Sequence, residues 1–473
     1  MAITFGKETF IVCRNSQGSD VRANTLRISR YLVVFEVYNP YSILQLSEVL
    51  NDFKILIGDR LVYSGRAVVS NLVNTGILLV CEATLEDGWL DVDLFSSLFV
   101  KDKIRNEFFE FVKEWEKAQK LLPEFKVVVA DLLTSLMDLR RWLEQVELGI
   151  RSETGRDRVQ SEQEVIQELR DPLFPAVSSL FNRFEEISAK LPEDQQNIHR
   201  AYGRRQIHPI ILCSPFVYRV YQKPLGYAGD YEMVNMILRD PMEGSSLFAK
   251  ILNCHFLSQA PCEAHRNRVK YLGEKLREET LRVTRLGRPL EAFNLGCGPA
   301  GEVQNFLAQD DLCDRARLTL LDFNPETLNH TTQVLENIKA KNRRATDIKF
   351  IQKSVNQILK EATKERTEPS EEKYDFIYCA GLFDYLSDRI CLRLMDYFYD
   401  HLAPGGLLTA TNVDPSNPIR FGMECFLEWH LVYRNSTDIL RLKPTAAPDG
   451  ECRVLTDATG VNVFLEIRKP HNA

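Results

Sequence analysis

Residues 1–97 carry short apolar runs separated by turn signals. Tyr31-Leu-Val-Val-Phe-Glu-Val-Tyr38 and Ala67-Val-Val-Ser-Asn-Leu-Val73 are rich in β-branched and aromatic side chains, which suit a pleated, half-buried surface. Asn39-Pro40, Gly58-Asp59, Ser64-Gly65 and Asn74-Thr-Gly76 punctuate them. Short strands at this spacing predict a small antiparallel barrel or sandwich, near the size at which one core suffices. From about Val100 the period lengthens. Phe108, Phe109, Phe111, Val112 and Trp115 fit one amphipathic helix, and Val127 to Val146 fits another. Ser152 to Glu168 is charged, with few large apolar residues, and reads as a solvated helix or a flexible connection. Pro172 and Pro175 punctuate it, and a helical period resumes from Ala176 to Ala189. Residues 98–280 therefore predict a helical linker and cap region.

From Pro289 apolar runs alternate with helical periods. The runs are Glu291 to Leu295, Arg317 to Leu321, Ile348 to Ile351, Tyr374 to Cys379 and Gly406 to Asn412. This β-α alternation predicts a third domain over 281–473, an α/β Rossmann-like sheet with helices on both faces. Gly460-Val-Asn-Val-Phe-Leu-Glu-Ile467 alternates and predicts an antiparallel final strand.

Composition changes this picture little. A 473-residue chain with 44% hydrophobic and 26% charged residues is ordinary globular material. Its net charge of -7 gives no electrostatic reason to expect nucleic acid or an anionic membrane as partner. The N-terminal sequence lacks the order of a secretory signal, and no apolar stretch is long enough to span a bilayer. The 11 cysteines are scattered, without CxxC or paired Cys/His spacing, so no metal site is expected. A reduced, cytoplasmic setting fits them best, as small hydrophobes. The charged stretch Ser152 to Glu168 is a candidate surface for a homodimer.

The first α/β strand ends in Asn294-Leu-Gly-Cys-Gly-Pro-Ala-Gly301, with a helical period after it. Gly296 and Gly298 let backbone turn sharply and approach a ligand, and the helix start beyond offers free N–H groups. Taken alone, such a turn serves a phosphate, a dinucleotide or another nucleotide-like ligand, or is simply a glycine connection. The next strand, Leu318-Thr-Leu-Leu-Asp322, ends in an acid. At the carboxyl edge of a neighbouring parallel strand it can accept hydrogen bonds from both hydroxyls of a ribose.

Together these segments resemble the class I S-adenosylmethionine (SAM)-dependent methyltransferases. Phe293 to Gly301 is similar to the family's first motif, and Leu320-Leu-Asp-Phe-Asn-Pro325 to its second. Ile351-Gln-Lys-Ser-Val355 resembles the third, Tyr374 to Asp384 the fourth-strand motif, and Leu402-Ala-Pro-Gly-Gly-Leu-Leu408 the turn into the fifth strand. The resemblance implies SAM as cofactor. It implies contacts from Asn294, Gly296, Cys297, Gly298, Gly301, Asp322, Phe323, Ser354, Val355, Ala380 and Gly381. Asn294 stands where the family usually has an acid, and the glycine turn closes late, at Gly301.

The remaining candidates concern the acceptor. Pro224-Leu-Gly-Tyr-Ala-Gly-Asp230 reads as a turn with Asp230 as helix N-cap, or as a lid carrying Tyr227 and Asp230. Arg266 and Arg268 precede the first sheet strand and are candidates for the carboxylate of the methionine end, or for a solvated helix face. Asp384 and Tyr385 follow the fourth strand, where the acceptor should sit. His430 is a candidate general base or a packed histidine, and Arg434 a candidate partner for an acidic acceptor. The Pro224–Asp230, Gly381–Leu386 and Glu428–Arg434 segments resemble a bacterial methyltransferase group often labelled as making the methyl ester of 3-hydroxypalmitic acid. That resemblance implies a small or lipid-like carboxylate acceptor. A regulatory module binding SAM or a cyclic dinucleotide, and a protein methyltransferase, are the alternatives. The N-terminal region resembles a degenerate PilZ-type barrel, of the family that binds cyclic di-GMP. Arg27 and Arg30 stand for its arginines, but Asn39-Pro-Tyr-Ser42 lacks the following glycine.

Overall fold

The computed structural model describes residues 9–29, 31–38, 44–57, 60–74, 78–86, 121–152, 157–365 and 372–471, together with Arg105, Phe109 and Val112. The chain forms two compact units. The first comprises Met1–Ala228, Pro241–Phe256 and Pro418–His430, and the second Gly229–Asp240, Leu257–Asn417 and Leu431–Ala473.

The first unit opens with six antiparallel strands: β1 (Thr9–Arg14), β2 (Asp20–Ser29), β3 (Leu32–Tyr38), β4 (Val49–Ile57), β5 (Arg60–Asn74) and β6 (Leu78–Leu85). They close as a barrel in the order β1-β2-β3-β6-β5-β4. Alternation puts Ile11, Val33, Phe35, Phe53, Ile55 and Val68 inside, each fully buried. Closure removes the exposed sheet edges that a strand-rich segment of this size would otherwise present. The helical part has α1 (Pro123–Ser152), α2 (Arg158–Ser188), α3 (Gln196–Ile211) and α4 (Pro215–Gln222), with most of α6 (Leu247–Leu257) and the later α12 (Arg420–Phe426).

One sequence alternative is selected here and one expectation changes. Of the two readings for Ser152 to Glu168 the helix holds from Arg158, whereas Pro172 and Pro175 lie inside α2 instead of bounding it. An interior proline costs roughly 3 kcal/mol. Burial of Ile166, Val177, Phe181 and Phe184 along α2, with Phe184 against Phe125 of α1, offsets that cost. The helix expected over Phe108 to Trp115 falls largely outside the described residues, as do the turns at Asn39-Pro40, Gly58-Asp59 and Thr75-Gly76.

The second unit is built on a seven-stranded sheet, ordered β12-β13-β11-β10-β7-β8-β9. Its strands are β7 (Leu290–Leu295), β8 (Ala316–Asp322), β9 (Asp347–Gln352), β10 (Tyr374–Cys379), β11 (Leu402–Val413), β12 (Cys452–Thr456) and β13 (Asn462–Arg468). The first five run parallel, while β13 is antiparallel to both β11 and β12. Helices α5 (Tyr231–Leu238), α7 (Ala260–Thr284), α8 (Gly301–Gln309), α9 (Pro325–Asn342), α10 (Val355–Glu365), α11 (Asp388–His401) and α13 (Ser436–Leu440) belong with it. The core joins Leu272, Leu276 and Val283 of α7 to Val303, Phe306 and Leu307 of α8 and to Leu290, Leu318 and Phe376 of the sheet. The Pro404-Gly-Gly segment is not a turn ahead of β11 but an irregularity within it. Partners step from Tyr374↔Leu402 to Phe376↔Leu407, so β11 carries extra residues there. Among the described residues no helix is long and apolar enough to cross a membrane.

The order of strands fixes where a ligand belongs. From β7 the chain proceeds outward through β8 and β9, then returns to β10 on the other side of β7. The crevice beyond the carboxyl ends of β7 and β10 is the point at which the winding reverses, the usual ligand position in open α/β sheets.

Candidate active site

Asn294, Asp322 and Gly381 lie at the carboxyl ends of β7, β8 and β10, so three separate stretches of sequence meet at this crevice. The turn after β7 is held by backbone. Gly296 and Cys297 N–H both donate to Leu321 O, at 2.8 and 3.0 Å. Gly298 has φ 51° and Ala300 φ 51°, both in the left-handed region. A Cβ at Gly298 would meet nothing within 4 Å, so the turn presents open space there. Gly301 begins α8 and matters for close approach: a Cβ would lie 2.8 Å from Leu238 Cδ1 of α5. Cys297 is buried, and burial first, then Asp322 and Glu302, pushes its thiol well above the usual range.

Asp322 is buried at the end of β8. Its Oδ2 accepts from Gly298 N–H at 3.2 Å and its Oδ1 from Asn324 N–H at 3.0 Å. Burial raises its pKa, opposed by these amides and that of Phe323. Asn324 in turn caps α9, accepting from Glu326 and Thr327 N–H at 2.9 and 3.1 Å. Thr331 Oγ1 donates to Gly298 O at 2.7 Å, fastening α9 to the turn. Phe323 is half-buried beside Asp322. Ser354 and Val355 open α10: Ser354 N–H donates to Gln357 Oε1 at 2.8 Å, and Gln357 N–H to Ser354 Oγ at 3.4 Å. This reciprocal pair is a capping box.

Two further buried charges come from α7 and α8. Arg268 is buried, and burial lowers its pKa against the opposing effects of Asp384, Tyr385 and Glu302. It donates to His265 Nε2 at 2.8 Å. Its guanidinium lies along Gly381, where a Cβ would be 3.1 Å from both Nη atoms; Gly381 has φ +85°. Gly381 N–H donates to Thr411 Oγ1 at 3.1 Å, and Ala380 before it is half-buried. Glu302, on the first turn of α8, is buried and accepts from Asn294 Nδ2 at 3.2 Å and Tyr378 Oη at 2.8 Å. Asn294 Oδ1 is buried without a hydrogen-bond partner among the described residues. Arg266 is engaged elsewhere: it donates to Ile237 O at 3.0 Å, Leu257 O at 2.9 Å and Glu263 at 2.8 Å.

Beyond β10, Asp384 is buried and its carboxyl is raised to about 6 by burial, with Arg268, the Val413 N–H and Arg434 opposing. Val413 N–H donates to Asp384 Oδ1 at 2.8 Å. Tyr385 follows, its hydroxyl 2.7 Å from the place a Cβ on Gly229 would take. Arg434 is buried and spends its donors on Phe383 O, Leu386 O, Asn412 Oδ1 and Asp388 Oδ1, at 2.6–2.9 Å. It fastens the segment carrying Asp384 and Tyr385.

Helix α5 packs on α7 and reaches Gly301 through Leu238. Asp230 caps it, accepting from Met233 N–H at 2.8 Å. Tyr231 Oη donates to Glu326 at 3.0 Å, and Asn235 meets His330 at 3.1 Å, tying α5 to α9. Tyr227 and His430 belong to the first unit. His430 is buried there, and burial, then Arg200, Lys223 and other cations, holds its pKa well below the usual range. Its carbonyl accepts from Ser47 Oγ at 2.8 Å. Arg27 is exposed on β2, while Arg30 and Asn39 to Ser42 lie outside the described residues.

Sequence reading missed Glu302, His265 and Tyr378. Glu302 was visible only as an acid in the first turn after the glycines; its pairing with Asn294 needs the folded turn. A SAM molecule suits these groups: open space at Gly298, an orphaned buried acceptor on Asn294, and a buried cation and acid on facing helices.

Residues 293–408 match the methyltransferase domain family. No curated protein sequence matches the chain. Among solved structures, the chain resembles a possible exported protein from Bordetella parapertussis, at 17% identity and TM-score 0.41 over 61% of this chain and 93% of that one. It also resembles magnesium protoporphyrin IX methyltransferase from Synechocystis PCC 6803 with bound SAH, at 11% identity and TM-score 0.36 over 54% and 98%. A third is the N-methyltransferase NodS of Bradyrhizobium japonicum WM9 with S-adenosyl-L-homocysteine, at 16% identity and TM-score 0.31 over 53% and 99%. The match assigns a methyltransferase domain to residues 293–408, which hold the end of β7, all of β8 to β10, the glycine turn and most of the crevice.

Proposed function

We propose that the protein methylates a small-molecule acceptor, a fatty-acid-like carboxylate, to give a methyl ester. The observation that carries the placement of the donor is the convergence of Asn294, Asp322 and Gly381, with Arg268, on one crevice at the reversal of the sheet. In this reading Asp322 would take the ribose hydroxyls, and Ser354 and Val355 the adenine. The glycine turn with Cys297, Phe323 and Ala380 would shape the walls, and Arg268 would meet the methionine carboxylate.

The bound donor supplies an activated methyl group. The chain's part is to bind and orient, which can supply much of the rate. Arg434 and the Val413 N–H hold Asp384 and Tyr385 beside the crevice, where they orient the acceptor. Helix α5, tied at Glu326 and His330, limits access of water. A carboxylate acceptor arrives deprotonated and needs no base. Arg268, beside Asp384, supplies the opposing positive charge there. Neither Arg434, with its donors engaged, nor His430, in the first unit, is needed in this scheme.

The test is incubation of the full chain with labelled SAM and a cell extract, separating lipid, small-molecule and protein products. Label in a base-labile, lipid-soluble ester is the expected result. Label on protein would overturn the acceptor class.

A further inference from the structure

Arg268 and Glu302 are both buried, and each feels the other's charge. Among the described residues they do not form an ion pair: Arg268 donates to His265, and Glu302 accepts side-chain bonds from Asn294 and Tyr378. A buried arginine and a buried glutamate left apart forgo a contact that would relieve the desolvation of both. Such an arrangement is costly for the charged forms, and burial indeed pushes the Glu302 carboxyl up; a cationic ligand group beside it would relieve that cost.

The neighbouring atoms define what that is. Both bonds to Glu302 go to Oε1, leaving Oε2 outside them. By donating its Nδ2 to Glu302, Asn294 turns its Oδ1 away, and that atom is buried without a partner. The cluster therefore offers acceptors from Glu302 and Asn294 and a guanidinium from Arg268. A group with several N–H donors and a carboxylate on the same carbon matches both. Resting on the donor reading above, we infer that Glu302, together with Asn294 Oδ1, receives the α-ammonium of the donor's methionine end opposite Arg268. The strand-end residue is an amide here, and the acid has moved eight positions on, into the first turn of α8. Tyr378 and the Asn294 amide hold its carboxylate in place.

Calorimetry on the full chain tests this with three probes: S-adenosylhomocysteine, its analogue lacking the amino group, and methylthioadenosine, which lacks the whole amino-acid end. Wild-type protein is expected to prefer S-adenosylhomocysteine over the deaminated analogue by roughly 10- to 100-fold, the worth of charged hydrogen bonds. In E302Q that preference should shrink to a few-fold while methylthioadenosine affinity holds. In the double variant N294D/E302Q, which returns a carboxylate to the pair, much of the preference should come back. Equal weakening of all three probes in E302Q, or an unchanged preference, overturns the assignment. Should E302Q not fold, the double variant decides: folded protein without the preference also overturns it. A wild-type chain that binds none of the probes defeats the donor reading itself, whereas one that binds all three equally defeats only the role of Glu302.

Discussion

Each unit buries arginine against glutamate, and the two do so in opposite ways. In the first unit Glu428 is gripped by Arg66 at 2.6 Å and by Arg204, and Thr84 Oγ1 adds a third bond at 3.3 Å. Arg66 also donates to Tyr221 O at 2.9 Å. Both arginines there share Glu428 as their counter-charge within the chain. In the second unit Arg268 and Glu302 are equally buried but kept apart. The difference teaches how to separate a scaffold from a site: burial alone does not distinguish them, but the bookkeeping of partners does.

The largest effect should come from breaking the satisfied cluster. Glu428→Gln leaves Arg66 and Arg204 short of their counter-charge, and should cost about 3–5 kcal/mol of stability in a denaturant titration. S-adenosylhomocysteine affinity of the folded variant should be unchanged; a large loss of affinity would blur the contrast between the units. Asp322→Ala, in the second unit, should weaken S-adenosylhomocysteine by about 10- to 100-fold by calorimetry, since hydrogen bonds to a charged group are worth ~1.5–3 kcal/mol. Unchanged affinity would remove the ribose assignment.

A smaller effect concerns pH. The folded carboxyl of Asp384 sits at about 6, above its ordinary value of 3.8. The folded state therefore holds this proton more tightly than the unfolded chain. Its contribution makes stability fall as pH rises from about 4 to 6, and the penalty is complete above that. Asp384→Asn should remove this slope, so the stability of wild type minus variant should decline across that window. A flat difference would contradict the burial of the ionised form. The smallest effect is expected of Tyr385→Phe: turnover should fall by less than about tenfold, within the range for one orienting hydrogen bond, with S-adenosylhomocysteine affinity unmoved.

The strands and the glycine turn were legible because their signals are local. Apolar runs marked β7 to β11, and alternation marked β13. The two prolines of α2 misled because their cost is local and the compensating contact, Phe184 on Phe125, is not. In the crevice the same division holds. Asn294, Asp322 and Gly381 stand at strand ends that the pattern already located. Glu302 meeting Asn294, His265 meeting Arg268, and the engagement of Arg434 with Phe383, Leu386 and Asn412 are products of folding. No spacing rule in the chain announces them.

The chain passes between its two units five times, with Pro241–Phe256 and Pro418–His430 contributing to the first from within the stretch that builds the second. Such threading makes the units poor candidates for exchange as cassettes. A gene fragment beginning at the sheet would carry Met423, Cys425 and Phe426, all buried in the intact protein, without the helices α2 and α3 that cover them. Such a fragment would invite aggregation through that bare apolar face. For a lineage this acts as a ratchet: once two excursions are stitched in, loss or replacement of the barrel half demands that both loops be rewritten together.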